Sequence, residues 1–566
     1  MRINEIAYTR LDVPAALSSV VELTARMAAA VSAEEAVQVL LDYSKLERSV
    51  MSTLALSAIR ASQNTADEFY EAEEQYYAEA TPPLMEKLNG LYKAMLESPY
   101  RPQMEERFGK VAFINAEIAL KTISPEILGM MQEESLLEIE YQKVQGALTV
   151  EFRGETYPVT KMGKFKTDSD RQTRKEAYEA EGRAYLAHKE EYDSIYNKMV
   201  DVRTRMARTL GHPNFTPLGY LRMTRNSYDP AMVENFRNQV KRDIVPLVCK
   251  LKQQQAARLG LDKISFYDDG IMTLEGNPKP ILEDEELYKA GLSFYRELDP
   301  KAAAMINSMD ELGAFDLYSR ENKMSGGYCS TLPNLKTPFI FANFNGTAGD
   351  VEVFTHEGGH AFAAALMLED DEMLGLSEPT LESCEVHSMS MEFLAWPYLE
   401  RFYGDKTEAA KLIHLIGALE FLPYGCMVDE FQHIIYDNPE LTEQQRHEKW
   451  AELEKIYRPW IDFEDLPFWS EGRTWQRQLH IYTNPFYYID YCLAQTVALE
   501  VFGIMTQQSW QDAWKHYMAY TEQGGSETFV GLVRNAGLRV PFDDGALEGS
   551  VKAAEEYIEK NKDLLK

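Results

Sequence analysis

Cysteine is scarce in this chain, with five among 566 residues: Cys249, Cys329, Cys384, Cys426 and Cys492. The number is odd and no two stand at a metal-ligand spacing, so a disulfide framework is not expected. The five read as reduced thiols of a cytoplasmic protein. No Ser/Gly/Pro-rich linker, low-complexity tract or internal repeat divides the sequence. With 45% hydrophobic residues it can bury a large core, which favours one body with two lobes around a cleft. Met1–Arg10 has no apolar signal region and no stretch of 18 apolar residues suggests a membrane span, so no membrane association is expected. Positive charge is also short, at 58 basic against 90 acidic residues and a net charge of −32. Such a surface argues against nucleic acid and anionic membranes as partners.

Helical signals fill most of what remains. Ser32-Ala-Glu-Glu35 is a capping-box signature before a long amphipathic stretch. Ser124-Pro125-Glu126 opens another, with proline in the first turn. Asp168-Ser-Asp170 precedes a charged helix predicted over 171–191, and further helices are expected over 228–320 and 405–460. Leu148–Val159 alternates around Arg153-Gly154 and predicts a hairpin. Phe339–Phe344, bounded by Pro338 and the Asn345-Gly346 turn signal, is the richest short β-like run. The fold class is therefore mainly α with a few short strands.

Histidine is rare as well, ten in all, yet two of the ten fall in His356-Glu-Gly-Gly-His360. On a helix, positions four apart leave the same face, so both imidazoles can converge on one metal ion. Glu357 projects beside that point, placed to take a proton from water activated there. Such a site needs a third protein ligand. The segment Glu378-Pro-Thr-Leu-Glu382-Ser-Cys-Glu385-Val-His387-Ser-Met-Ser-Met-Glu392 reads as a helix begun near Pro379 and offers Glu382, Glu385 and Glu392. Spacing alone does not choose among them. His387, two positions past Glu385, points to roughly the opposite side and reads as a satisfied or exposed histidine.

His-Glu-x-Gly-His followed 25 positions later by Glu385 resembles the thimet oligopeptidase and oligoendopeptidase F family of zinc metallopeptidases. Gly326–Thr347, His480–Tyr491 and, weakly, Gly524-Gly-Ser-Glu527 with Ala536-Gly-Leu538 are similar to the oligoendopeptidase F branch. The resemblance covers roughly residues 160 to 566. It implies that one Zn²⁺ per chain is held by His356, His360 and Glu385, with Glu392 behind the ligands and Glu382 on the helix surface. It also implies a zincin of the neurolysin and thimet oligopeptidase type, a helical ellipsoid with a deep substrate channel and a small β-sheet beside the zinc helix. The strand at 339–344 would line the channel and pair its free edge with substrate backbone. His480, Tyr482, Tyr488 and Tyr491 are carried over as donors to the developing oxyanion, Tyr491 first. The Asn484-Pro485 pair stands where mammalian-type members have a glycine-rich loop, so the tyrosine roles are not fixed by the match.

The expected division is a helical lobe over 1–160 and a catalytic region over 161–566. The expected activity is internal cleavage of short unstructured peptides, with Glu357 as general base. A zinc exopeptidase on the same motif, or a peptide-binding protein without chemistry, are the alternatives.

Overall fold

The computed structural model describes residues 2–565. Helices dominate, and the strands form two small sheets. The expected hairpin is β1 (Thr149–Phe152) against β2 (Glu155–Pro158), antiparallel, with Phe152 opposite Glu155. Its two-residue turn has φ 52° at Arg153 and 87° at Gly154, the left-handed pair that suits the twist of a tight hairpin. Val150 and Phe152 face inward onto Met162, Ala177 and Ala180. The second sheet has the order β3 (Phe315–Tyr318), β5 (Thr337–Phe344), β4 (Tyr328–Leu332). β5 runs parallel to β3 and antiparallel to β4.

That order corrects one expectation. The apolar run 339–344 lies in the central strand, paired on both sides and buried along nearly all its length. Its backbone groups are spent within the sheet, so it has no free edge to offer. The edge on that side belongs to β4, half-buried from Tyr328 to Thr331 and buried at Leu332.

The chain packs as two units, each assembled from three separate stretches. The first comprises Met1–Ile123, Lys279–Thr407 and Glu500–Val540. Its N-terminal part is α1 (Val13–Ala29), α2 (Ala33–Gln63) and α3 (Glu68–Glu97), packed through Leu23, Met27, Val39, Leu40, Tyr43, Leu91 and Met95. Ser32 caps α2 by accepting from Glu35 N at 3.2 Å. Glu35 reaches back to Val31 N rather than to the cap residue. The unit continues with α4 (Asp284–Leu298), the sheet, α5 (Ala348–Met367), α6 (Leu381–Leu394) and α7 (Trp510–Thr521). Packing thus groups the chain differently from a split at 160/161. Glu47 on α2 accepts from Gly375 N at 2.7 Å, and Ser44 donates to Met373 O at 3.0 Å. These bonds fasten the N-terminal helices to the segment that joins α5 and α6.

The second unit comprises Ser124–Pro278, Glu408–Leu499 and Pro541–Lys566. The helix expected over 171–191 ends at Ala187, where His188 leaves the helical region at φ −111°, ψ 11°, and a new helix, Lys189–Thr209, begins. Arg203 is buried in this unit and satisfied by Glu134 at 2.6 Å and by the Tyr436 hydroxyl at 2.8 Å. Two helical segments, Glu400–Asp437 and Tyr488–Gln507, reach mean hydropathies of 1.3 and 1.2 over their most apolar windows, which are 67% and 72% buried inside the protein. They are core helices by that burial.

Candidate metal centre

All the candidate ligands lie in the first unit. β5 ends at the Asn345-Gly346 turn, where Asp350 accepts from Asn345 N at 2.9 Å and Gly346 N at 2.7 Å. This fixes the angle at which α5 leaves the sheet. His356 and His360 then sit one turn apart, with ring centroids separated by 5.0 Å. The two glycines between them are needed for close approach. A Cβ on Gly358 would lie 1.8 Å from the Tyr295 hydroxyl, and one on Gly359 would meet His387 O at 2.6 Å and Ser388 Cα at 2.7 Å. Tyr295, from α4, donates to Thr355 O at 3.2 Å beside the motif.

α6 supplies the third ligand candidate. Glu385 Oε2 stands 3.3 Å from His356 Nε2 and 3.4 Å from His360 Nε2, and one donor atom from each residue falls within 4.8 Å of the others. Ligand atoms around a tetrahedral ion with zinc's bond lengths of about 2.0–2.2 Å are separated by about 3.3 Å. The three residues therefore fit the group that the motif implies. Glu392 Oε1 lies 2.7 Å from His356 Nδ1, the carboxylate–histidine pairing that fixes a ligand's tautomer and turns its Nε2 toward a metal. Spacing left Glu382, Glu385 and Glu392 open; the geometry separates them.

Charge balance in the cluster follows from these contacts. Burial opposes a charge on His356, but hydrogen bonds with Glu385 and Glu392 outweigh it and hold its pKa well above the ordinary value. Burial likewise opposes the Glu385 carboxylate, and His360 and His356 overcome it, so Glu385 stays ionised far below the usual range. Glu357 is different. Burial raises its pKa, with His356 and His360 only partly offsetting that rise. A carboxylate so raised is a better proton acceptor near neutral pH. A Cβ on Gly327, the residue before β4, would lie 3.7 Å from Glu357 Oε1, so the edge strand begins next to this carboxylate.

One neighbour differs from expectation. Glu382 is fully buried rather than on the helix surface, and its Oε1 accepts from the Thr380 hydroxyl at 2.5 Å. α6 is enclosed on nearly all sides, so it has no outer face for that residue. His387 is buried, and this, with His360 nearby, lowers its pKa to about 3. Cys384, half-buried, places its thiol 3.6 Å from Pro379 O.

His480, Tyr482, Tyr488 and Tyr491 belong to the second unit. The structure gathers three of them: His480 has ring centroids 5.0 Å from Tyr488 and 6.0 Å from Tyr491, and Tyr488 lies 5.7 Å from Tyr491. Tyr487, which sequence reasoning passed over, joins them at 5.7 Å from His480 and 4.9 Å from Tyr491. Tyr482 does not join. It is fully buried, stacks on Tyr141 at 3.9 Å, and its hydroxyl donates to Tyr192 O at 3.3 Å. Its place among the oxyanion donors is thereby taken by a packing role.

The loop carrying this aromatic group is clamped by Arg225. Its guanidinium donates to Phe486 O and, at 2.8 Å, to Asp490 in the first turn of the helix Tyr488–Gln507. Both ion-pair side chains have 0% exposure. Breaking a buried pair leaves an uncompensated charge, so Asp490→Ala is expected to remove about 3–5 kcal/mol of stability in chemical denaturation. A loss below about 1 kcal/mol, as for a surface pair, would contradict the clamp.

The sequence profile of Peptidase family M3 matches residues 164–551, and that of the Peptidase M3 N-terminal domain matches residues 3–123. The chain belongs to peptidase family M3. Among solved structures, Pz peptidase A with an inhibitor is 38% identical over 100% of both chains, with a TM-score of 0.95. A protein assigned as oligoendopeptidase F is 38% identical over 99% of both chains, at a TM-score of 0.94. Another so assigned, from Bacillus anthracis str. Ames, is 34% identical over 100% of this chain and 99% of its own, at 0.89. Comparison with curated protein sequences finds no significant match. This M3 protein is a metallopeptidase, a hydrolase of the mainly helical fold shared by those neighbours.

Proposed function

We propose that this M3 peptidase is a zinc-dependent oligoendopeptidase acting on internal bonds of short unstructured peptides. The observation that carries the reading is the spacing of Glu385 Oε2 from the two imidazoles, 3.3 and 3.4 Å, with Glu357 beside them. His356, His360 and Glu385 would hold the ion, whose chemistry is Lewis acidity toward water and the scissile carbonyl. Glu357 accepts a proton from the attacking water and passes it to the leaving nitrogen, a role suited by its raised pKa. Glu392 keeps the His356 ring oriented. His480, Tyr488 and Tyr491 are the proposed hydrogen-bond donors to the oxyanion, Tyr491 first, in keeping with the resemblance.

Internal cleavage is supported by β4. An edge strand pairs with the backbone of an extended peptide and does not read its ends, and this edge starts beside Glu357. Only a segment free of its own secondary structure can pair so, which favours short flexible substrates. All five cysteines are free, which supports a reducing, cytoplasmic setting.

The test is digestion of peptides whose amino and carboxyl termini are both blocked, read by mass with and without a zinc chelator. Internal cuts that cease on chelation and return with added zinc are expected. Cleavage only of unblocked peptides, one residue at a time, would replace this reading by an exopeptidase. Bound zinc without any cleavage would replace it by a peptide-binding protein.

A further inference from the structure

Behind Glu385 lies a contact that the zinc reading does not itself require. Ser388, one turn later on α6 and fully buried, places its hydroxyl 3.0 Å from Glu385 Oε2 and 2.9 Å from Glu385 O. A hydroxyl has one proton to donate. The carbonyl of a mid-helix residue already has its intrahelical partner, whereas a carboxylate oxygen has two lone pairs and only one of them is needed to face the imidazoles. The proton therefore belongs on Oε2, the same oxygen that lies between the two histidine rings.

We propose that Ser388 is a positioning residue for the metal site: it donates to Glu385 Oε2 and so holds that oxygen, and not Oε1, toward the ion. This inference rests on the zinc reading above. Two further observations support it. Ser388 cannot drift, because its Cα is packed where Gly359 lacks a Cβ, at 2.7 Å from that missing atom's position. And its role parallels that of Glu392 on His356, so each of these two ligands has its own partner outside the metal's reach. Free rotation of the Glu385 carboxylate would let either oxygen, or neither, face the imidazoles; the hydroxyl removes that freedom before the ion arrives.

The same helix carries a matched control. Ser390 is equally buried, and its hydroxyl has no hydrogen-bond partner among the described residues. Ser388→Ala and Ser390→Ala remove the same atom from the same helix, but only the first touches a ligand. The experiment measures zinc dissociation constants of the wild type and both variants by competition with a chromophoric chelator, together with thermal midpoints of the zinc-free proteins. Loss of a partner behind a ligand costs about 10–100-fold in metal affinity. That weakening is expected for Ser388→Ala, with Ser390→Ala within about twofold of the wild type and both zinc-free variants still folded at the assay temperature. Wild-type affinity in Ser388→Ala, or equal weakening in both variants, overturns the positioning role while leaving the metal site standing. A wild-type protein that takes up no zinc overturns the metal reading and this inference with it.

Discussion

Glu357→Gln is expected to lower kcat on a blocked peptide by roughly 10³-fold, inside the 10²–10⁴-fold range of a positioned general base, with zinc content unchanged. The substitution keeps the shape of the side chain and removes only its capacity to take a proton. Space around it is preserved as well, since Gly327, where even an added Cβ would stand 3.7 Å from Glu357 Oε1, leaves room for an amide of the same size. Zinc stays because the three converging donors come from His356, His360 and Glu385, and Glu357 is not one of them. Steady-state rates at saturating peptide, with metal analysis of the same samples, separate the two quantities. A variant that cleaves at the wild-type rate would remove Glu357 from the chemistry. One that loses zinc in proportion to activity would make it a structural part of the site.

Glu385→Ala has the second large expected effect, on binding instead of turnover. It takes away the oxygen that completes the triangle with both imidazoles, leaving two neutral nitrogen ligands. The loss of zinc affinity should exceed the roughly 100-fold ceiling for residues that act only through a ligand. Glu382→Ala is the contrast. That carboxylate is equally enclosed, but it is held by the Thr380 hydroxyl at the start of α6, so its removal should affect folding of that turn and leave zinc affinity near the wild-type value. Chelator competition on both variants decides between the glutamates, and equal losses would withdraw Glu385 as the ligand.

How much of this was legible in advance depends on how local each signal is. His356, Glu357 and His360 belong to one helical turn, and helical geometry alone places them. Glu385 is distant in sequence, and spacing on α6 leaves three glutamates open; the family resemblance chooses among them, and of the three it is Glu385 whose Oε2 stands 3.3 and 3.4 Å from the two imidazole Nε2 atoms. Glu382 was misread because an enclosed helix has no polar face, so a glutamate near its start looks like surface. The substrate edge was misassigned for a related reason. A continuous apolar run such as Phe339–Phe344 marks a strand covered on both faces, and the edge fell to the more polar Tyr328–Leu332. The packing units escape any sequence reading, since bonds such as Gly375 to Glu47 join residues 328 positions apart. Ser388 could have been suspected from its place three residues after a ligand glutamate, where helical spacing puts one side chain against the other.

The contact between α5 and α6 at Gly359 has one further consequence. There the helices meet backbone to side-chain root, with no intervening side chain that could compress or swing. The separation of the two backbones that carry the histidine pair and Glu385 is therefore set by the main chain itself, so the ion is received by a frame already at its final width. Metal loss and uptake would then be an exchange at a rigid socket, with α5 and α6 neither closing nor parting as the ion comes and goes.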